Sequence, residues 1–77
     1  MSRNNILRQF ETEQFTEALN NDNLDHYNDT YEIMMFDKAR DVSVEDILEY
    51  ILIDMRQVQF DEDFHGNLLK IALKKLR

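Results

Sequence analysis

The apolar residues of this chain recur mostly three and four positions apart, which is the spacing of one face of an α-helix. The chain contains one glycine and no proline, whereas small strand-rich domains usually need more of both for their turns. The pattern therefore predicts an all-α fold, a small bundle of three to four helices, and so short a chain favours self-association. The predicted helices cover residues 3–19, 22–39, 43–58 and 63–76, within a single helical domain, residues 1–77.

The third predicted helix has the clearest start. Ser43 precedes its apolar run as an N-cap residue, and Asp46 follows three positions later as in a capping box. Val42 and Ile47 also have the spacing of a hydrophobic staple. The side of this helix that we expect to face the core contains Val44, Ile47, Leu48, Ile51, Leu52, Met55 and Val58.

The fourth predicted helix follows three acidic residues, which suit a helix N-terminus. Its core side is expected to consist of Phe64, Leu68, Ile71, Ala72 and Leu76, with Lys70, Lys74 and Arg77 on the solvated side. A glycine inside a helix costs about 1 kcal/mol relative to alanine. Gly66 therefore marks either the start of this helix, between Asp61 and Asn67, or a close approach to a neighbour.

The first predicted helix has apolar residues on two sides. They form two groups that point in nearly opposite directions: Ile6, Leu7 and Phe10, then Phe15, Ala18 and Leu19. Two explanations stay open. Either the helix contacts two neighbours, as in a compact bundle, or it breaks near Thr12 and leaves an N-terminal arm, residues 1–10, that docks elsewhere, for example on a second copy.

Residues 22–36, DNLDHYNDTYEIMMF, allow three interpretations. A calcium loop that starts at Asn21 would have oxygen ligands at alternate positions, but His26 stands where such a loop needs glycine. A strand would need a pairing strand, which no other segment offers. A helix places the acidic residues opposite the tyrosines, although Ile33 and Phe36 then project from the acidic side. We predict the helix, with these two side chains covered either by this chain or by a partner.

The composition excludes several kinds of metal and redox site and disfavours binding to membranes and nucleic acids. The chain has no cysteine, which excludes disulfides and cysteine-based zinc, iron–sulfur and redox sites. It has no long apolar run of the kind found in signal peptides or membrane spans, so we expect a cytoplasmic protein that does not bind membranes. The formal net charge is −7. This charge disfavours direct nucleic-acid binding, which depends on Lys and Arg contacts with phosphates.

Charge is distributed unevenly along the chain. Residues 1–63 contain sixteen acidic and five basic residues, a formal charge of −11, while residues 64–77 contain four basic residues and no acidic one. Cations in the last turns of a C-terminal helix interact favourably with the helix dipole. A separate role for this basic segment, such as contact with phosphate, is the alternative.

The sequence offers little support for catalysis or metal binding. No Ser, Thr or Lys has a spacing that pairs it with an oriented base, and one glycine cannot build a phosphate-binding loop. His26 lies among aspartates, and His65 follows Asp61 by four positions, so we expect both histidines to pair with carboxylates at the surface or at the boundary of the core. We predict no enzyme activity, no cofactor and no metal site.

The remaining role is protein binding. We predict an acidic adaptor, inhibitor or regulatory subunit whose partner has a basic or mixed surface, because apolar anchors surrounded by charge are typical of interfaces. The predicted contact face consists of Asp22, Asp25, Asp29, Glu32, Ile33 and Phe36, with Tyr50 and Ile53 as secondary interface candidates. One alternative is a nucleic-acid mimic, whose carboxylates imitate a row of phosphates and block a DNA-binding protein. Another is a structural subunit of a homo-oligomer, for which a homodimer is the simplest form.

Overall fold

The computed structural model describes residues 5–77, which form four α-helices and no strand. The helices are α1 (Ile6–Asn20), α2 (Leu24–Ala39), α3 (Val44–Asp54) and α4 (Glu62–Lys75). The predicted all-α bundle is confirmed. The main difference in helix length is at the end of α3, because the last predicted turn belongs to the connection that leads into α4. The predicted start of the first helix at residue 3 lies outside the described residues.

Local side-chain contacts explain where the helices begin. The Ser43 hydroxyl accepts a hydrogen bond from the Asp46 backbone N–H (3.3 Å), as the capping box predicts. Asp61 caps α4 in the same way. In the turn between α1 and α2, Asp22 has a φ of 52°, a left-handed conformation that aspartate tolerates better than most residues. Gly66 does not start α4, since it lies inside the helix that Asp61 caps.

The four helices form two hairpins that stack on one another, α1 with α2 and α3 with α4. Across the stack, α1 packs against α3 and α2 packs against α4. The side chains enclosed between the helices are Leu7, Met35, Ala39, Val42, Ile47, Tyr50, Phe64, Leu68 and Ala72. The two layers therefore share one core, and each hairpin keeps an outer side that faces solvent.

α1 is a continuous helix with two neighbours, so the predicted alternative of a break near Thr12 is wrong. Leu7 is buried in the core. Phe15 contacts Tyr27 of α2 edge to face, with 5.8 Å between the ring centroids. Within the predicted arm, residues 6–10 belong to α1, and residues 1–4 lie outside the described part of the chain.

α3 turns a different side to the core from the one that its apolar pattern predicts. Ile47 and Tyr50 are buried, with Ile51 packed beside them. Four residues that we expected in the core are exposed instead, and they are Leu48, Leu52, Met55 and Val58. Leu76 of α4 is exposed as well. The physical reason is that Tyr50 and Asp54 make polar contacts inside the bundle, which rotates the apolar row of α3 outward.

Candidate protein-binding surfaces

A polar network joins α1 and α3. Tyr50 donates a hydrogen bond from its hydroxyl to the Glu11 carboxylate (2.7 Å), and Arg8 forms ion pairs with Glu11 and Asp54. The Arg8 guanidinium also lies over the Tyr50 ring, 4.6 Å from its centroid. Burial is the main cause that raises the pKa of Tyr50 above its ordinary range, and the nearby Glu11 carboxylate raises this pKa further. The hydroxyl therefore stays protonated and remains a donor.

His65 extends the network to α4. It pairs with a carboxylate as predicted, but it is buried and does not lie at the surface or boundary. The His65 ring stacks with the rings of Tyr50 and Phe60. Nε2 lies 2.8 Å from a carboxylate oxygen of Asp54, and Nδ1 lies 2.8 Å from the backbone carbonyl oxygen of Asp61. Both neighbours are acceptors, so the ring donates both hydrogen bonds only when each nitrogen carries a proton.

We interpret this network as a device that holds the helices in register. In the part of the chain that the structure describes, no buried side-chain nitrogen or oxygen lacks a hydrogen-bond partner. Over the same residues, no group of three or more side chains is arranged to hold a metal ion. Asp54 and His65 both direct their polar atoms at protein neighbours. Saturated polar networks of this kind specify one packing arrangement.

The first candidate surface lies along the outer side of α2. Its acidic members are all exposed, and they are Asp22, Asp25, Asp29 and Glu32. None of them forms an ion pair with a cation of residues 5–77. Ile33 lies in the same row with 62% of its surface exposed. We call these five residues the α2 ridge. Four of the six predicted contact residues thus share the exposed side of α2, whereas Asp22 lies in the turn before the helix and not inside a helix that begins at residue 22. Their role in binding stays a prediction.

Phe36, the sixth predicted contact residue, packs on the core instead of projecting freely. It is half-buried, and its ring centroid lies 5.4 Å from that of Phe64 on α4. The prediction for Tyr50 is also wrong, because Tyr50 is only 1% exposed and contacts α1. Ile53 is half-buried. α4 covers Phe36, and α1 covers Tyr50. The helical spacing of α2 or α3 alone does not reveal these contacts with other helices.

A second candidate surface lies on the outer side of the α3–α4 hairpin. It consists of six exposed apolar side chains, which are Leu48 and Leu52 of α3 with its C-cap residue Met55, and Leu69 and Leu73 of α4 with its C-cap residue Leu76. We call it the hairpin face. On each helix these residues recur at i, i+4 and i+7, so each row forms one stripe. Contiguous exposed apolar patches on small proteins commonly mark interaction sites.

The apolar pattern alone did not lead us to predict the hairpin face, although α4 contains a signal for it. Leu68 and Ala72 are buried, and Leu69 and Leu73 follow each of them by one position. One side of a short helix cannot bury both rows, because consecutive residues are about 100° apart. The double apolar row therefore indicated a second contact surface on this helix.

Basic residues surround a small cleft beside the end of α2. A space of about 250 Å³ lies between Arg40, Lys70, Ile71, Lys74 and Lys75. The Lys75 ammonium donates a hydrogen bond to the Arg40 backbone carbonyl (2.5 Å), and Arg40 pairs with Asp37. A cation at this position interacts favourably with the C-terminal end of the α2 dipole. The basic segment thus stabilises a neighbouring helix end.

Comparisons with protein-family models, with curated proteins and with solved structures found no match for this chain. Within residues 5–77, no helix combines the length and the apolar character that crossing a bilayer requires. A functional proposal therefore depends on the chemistry of the α2 ridge and the hairpin face.

Proposed function

We propose that the protein is a non-catalytic adaptor, inhibitor or regulatory subunit that binds another protein through the α2 ridge. One observation supports this proposal most strongly: the exposed carboxylates of Asp25, Asp29 and Glu32 have no cation partner among residues 5–77, and they lie along α2 before the exposed side chain of Ile33. Like charges on one helix face destabilise each other in the free chain. A partner with a basic or mixed surface relieves that repulsion and covers Ile33.

The two parts of the ridge have different roles in this mechanism. The carboxylates attract a basic surface over long distances and therefore raise the association rate. Ile33 acts only at contact, so it mainly slows dissociation. Phe36 contributes indirectly, because its packing on Phe64 holds α2 in place.

The test first uses the wild-type chain to capture its partner protein from the native cell. It then measures how fast matched variants of the chain bind and release that partner. Reversing two ridge charges, Asp25→Lys with Asp29→Lys, should slow association about tenfold at low salt, and high salt should remove the difference. Ile33→Ala should leave the association rate nearly unchanged and should speed dissociation. Surface plasmon resonance at two ionic strengths measures both rates.

The control makes the same change of net charge elsewhere. Glu13→Lys with Glu17→Lys reverses two exposed acids on α1 that also stand four residues apart. This control should slow association much less than the ridge variant. Equal slowing by both pairs would mean that only net charge matters, and the ridge would then not be the binding surface.

A nucleic-acid mimic is the second candidate. Because α2 is uninterrupted from Leu24 to Ala39, Asp25, Asp29 and Glu32 recur about once per turn, roughly 5 Å apart along the axis. That spacing is on the scale of phosphates along a nucleic-acid strand. A DNA duplex should displace the captured partner if the ridge acts as a mimic, and it should not do so if the ridge binds as an adaptor.

The proposal includes a cytoplasmic setting, as we expect from the sequence. It requires no cofactor and no metal ion. It also assigns the charge of the ridge to contact with protein, because a negative surface is repelled by phosphates and by anionic lipid headgroups.

A further inference from the structure

The α3–α4 layer packs on only one end of the α1–α2 hairpin. α3 contacts the first half of α1, where Asp54 meets Arg8, and α4 contacts the second half of α2, where Phe64 meets Phe36. Because α1 and α2 run antiparallel, these contacts share one end of the hairpin. Toward the other end, the second half of α1 and the first half of α2 form an open groove.

This groove is lined largely by aromatic rings. It encloses about 410 Å³, and its lining residues, all from α1 and α2, are Glu11, Thr12, Phe15, Tyr27, Asn28 and Tyr31. Its three rings form a row, with 5.8 Å between the first two ring centroids and 6.0 Å between the second and third. Phe15 leaves 42% of its surface exposed. The face of an aromatic ring carries partial negative charge, so the groove is electrostatically suited to a cation.

Carboxylates add to this negative potential. Glu11 lines the groove, and no Lys or Arg of residues 5–77 does so. Glu11 is already paired with Arg8. Glu32 follows Asn28 by one helical turn, and it is exposed without an ion pair among the described residues. Burial raises the pKa of Tyr31 and the Glu32 carboxylate raises it further, so the field of Glu32 reaches the groove.

The bundle itself contains a cation in an environment of this kind. The Arg8 guanidinium lies 4.6 Å from the centroid of the Tyr50 ring and pairs with the Glu11 carboxylate. The Lys38 ammonium likewise lies over the ring of Phe10, on another side of α1. In the part of the chain that the structure describes, the three rings of the groove have no such cation over them. The groove therefore offers rings and negative charge to a cation from another molecule.

We propose that this groove binds an arginine side chain of a protein partner. A guanidinium is planar and weakly hydrated, so it stacks on an open ring face more readily than an ammonium group does. Its aliphatic stem then covers the exposed ring of Phe15. Glu32 belongs to the α2 ridge and also lies beside the groove, so one basic segment of the partner can contact both. That the arginine belongs to a protein rests on the proposed function, whereas the cation site itself does not.

The first test uses small probes and nuclear magnetic resonance, without the partner. The probes are Nα-acetyl-arginine amide, the citrulline analogue, which has nearly the same shape without the charge, and the lysine analogue, which has the charge without the plane. Ring currents should shift the side-chain protons of the arginine probe upfield, and the citrulline probe should bind at least about fivefold more weakly. No binding of the arginine probe, or equal binding of the citrulline probe, would overturn the site. A lysine probe that binds as well as the arginine probe would overturn the choice of guanidinium.

The second test locates the probe on the chain. Phe15→Leu keeps an apolar side chain but removes a ring, so it should weaken binding of the arginine probe about threefold. Phe10→Leu is the matched control, because it makes the same change on the same helix away from the groove, and it should leave binding unchanged. Far-UV circular dichroism verifies that both variants are folded. Equal weakening by both variants would contradict the assignment to this groove.

A variant that fills the groove from within the chain complements the removal of a ring. Asn28 is exposed and lines the groove, so Asn28→Arg should block the arginine probe, whereas Asn28→Gln should not. Unhindered binding to Asn28→Arg would argue against the site.

The same pair of variants separates this inference from the proposed function. Asn28→Arg should speed dissociation of the captured partner, and Asn28→Gln should leave it unchanged. If the probe binds but Asn28→Arg releases the partner like wild type, the cation site stands and its assignment to the partner's arginine is wrong. If the probe does not bind, the charge-reversal variants of the ridge still test the proposed function by themselves.

Discussion

Asp54 is the residue through which the polar network joins three helices. One of its carboxylate oxygens faces Arg8 of α1 and the other faces His65 of α4. Its side chain is only 13% exposed, and burying a carboxylate is costly unless such partners satisfy it. The burial of Asp54 is therefore acceptable only in the one arrangement that supplies both partners.

We expect Asp54→Asn to lower the free energy of unfolding by about 2 kcal/mol. Breaking a fully buried pair costs about 3–5 kcal/mol, and the smaller value applies here because the Arg8 side chain is 40% exposed. Urea unfolding followed by circular dichroism measures the change. As a control, Asp37→Asn removes the exposed pair with Arg40 and should change stability by less than about 0.5 kcal/mol. Similar losses in both variants would contradict the role given to the network.

At the scale of the helix, polar contacts orient α3 against its apolar pattern. The Asn5 side-chain amide donates a hydrogen bond to the Asp46 backbone carbonyl (2.8 Å), and Tyr50 donates one to Glu11. The buried Tyr50 ring supplies as much apolar contact area as an aliphatic side chain, and its hydroxyl finds a partner. With Tyr50 turned inward, Leu52 must turn outward, because it lies two residues later on the helix.

Two alanine substitutions on α3 test this orientation. Ile47→Ala should lower the free energy of unfolding by about 3 kcal/mol, since it empties a fully buried site. Leu52→Ala should cost less than about 0.5 kcal/mol in dilute, monomeric protein, because its side chain is largely exposed. Chemical denaturation at low protein concentration gives both values. Comparable losses would mean that the original apolar pattern, and not the observed rotation, describes the packing of α3.

At the scale of the whole molecule, the two stacked hairpins present two chemically different outer surfaces. The α2 ridge is acidic with one apolar side chain, while the hairpin face is apolar. All the tyrosines lie in the packed part of the bundle. Burial raises the pKa of Tyr27, Tyr31 and Tyr50, and nearby carboxylates raise it further.

The raised tyrosine pKa values predict a loss of stability in alkali. Above about pH 10, the unfolded chain loses tyrosine protons that the folded chain retains, so the unfolded state binds fewer protons and stability falls as pH rises. The fully buried Tyr50 contributes a slope of up to about 1.4 kcal/mol per pH unit, and the partly exposed tyrosines add less. Urea unfolding at several pH values measures the slope. Tyr50→Phe should flatten it, and an unchanged slope would contradict this assignment.

The sequence by itself determined the local structure of this protein. Four helices, the cap at Ser43 and the exposed row of acids on α2 all follow from contacts within a few residues of each other. Helix capping and helical periodicity depend on such short separations, so they can be predicted from one chain.

Only the tertiary structure decided which side of each helix is covered. Phe36 meets Phe64 on α4, and His65 meets Asp54 rather than a neighbour in its own helix. The ion pair of Arg8 with Asp54 joins residues far apart along the chain, and it rotates α3 so that its leucines face outward. Local spacing contains no information on such partners. The pattern of a helix shows which residues can be buried, but the packing of the other helices determines which of them are buried.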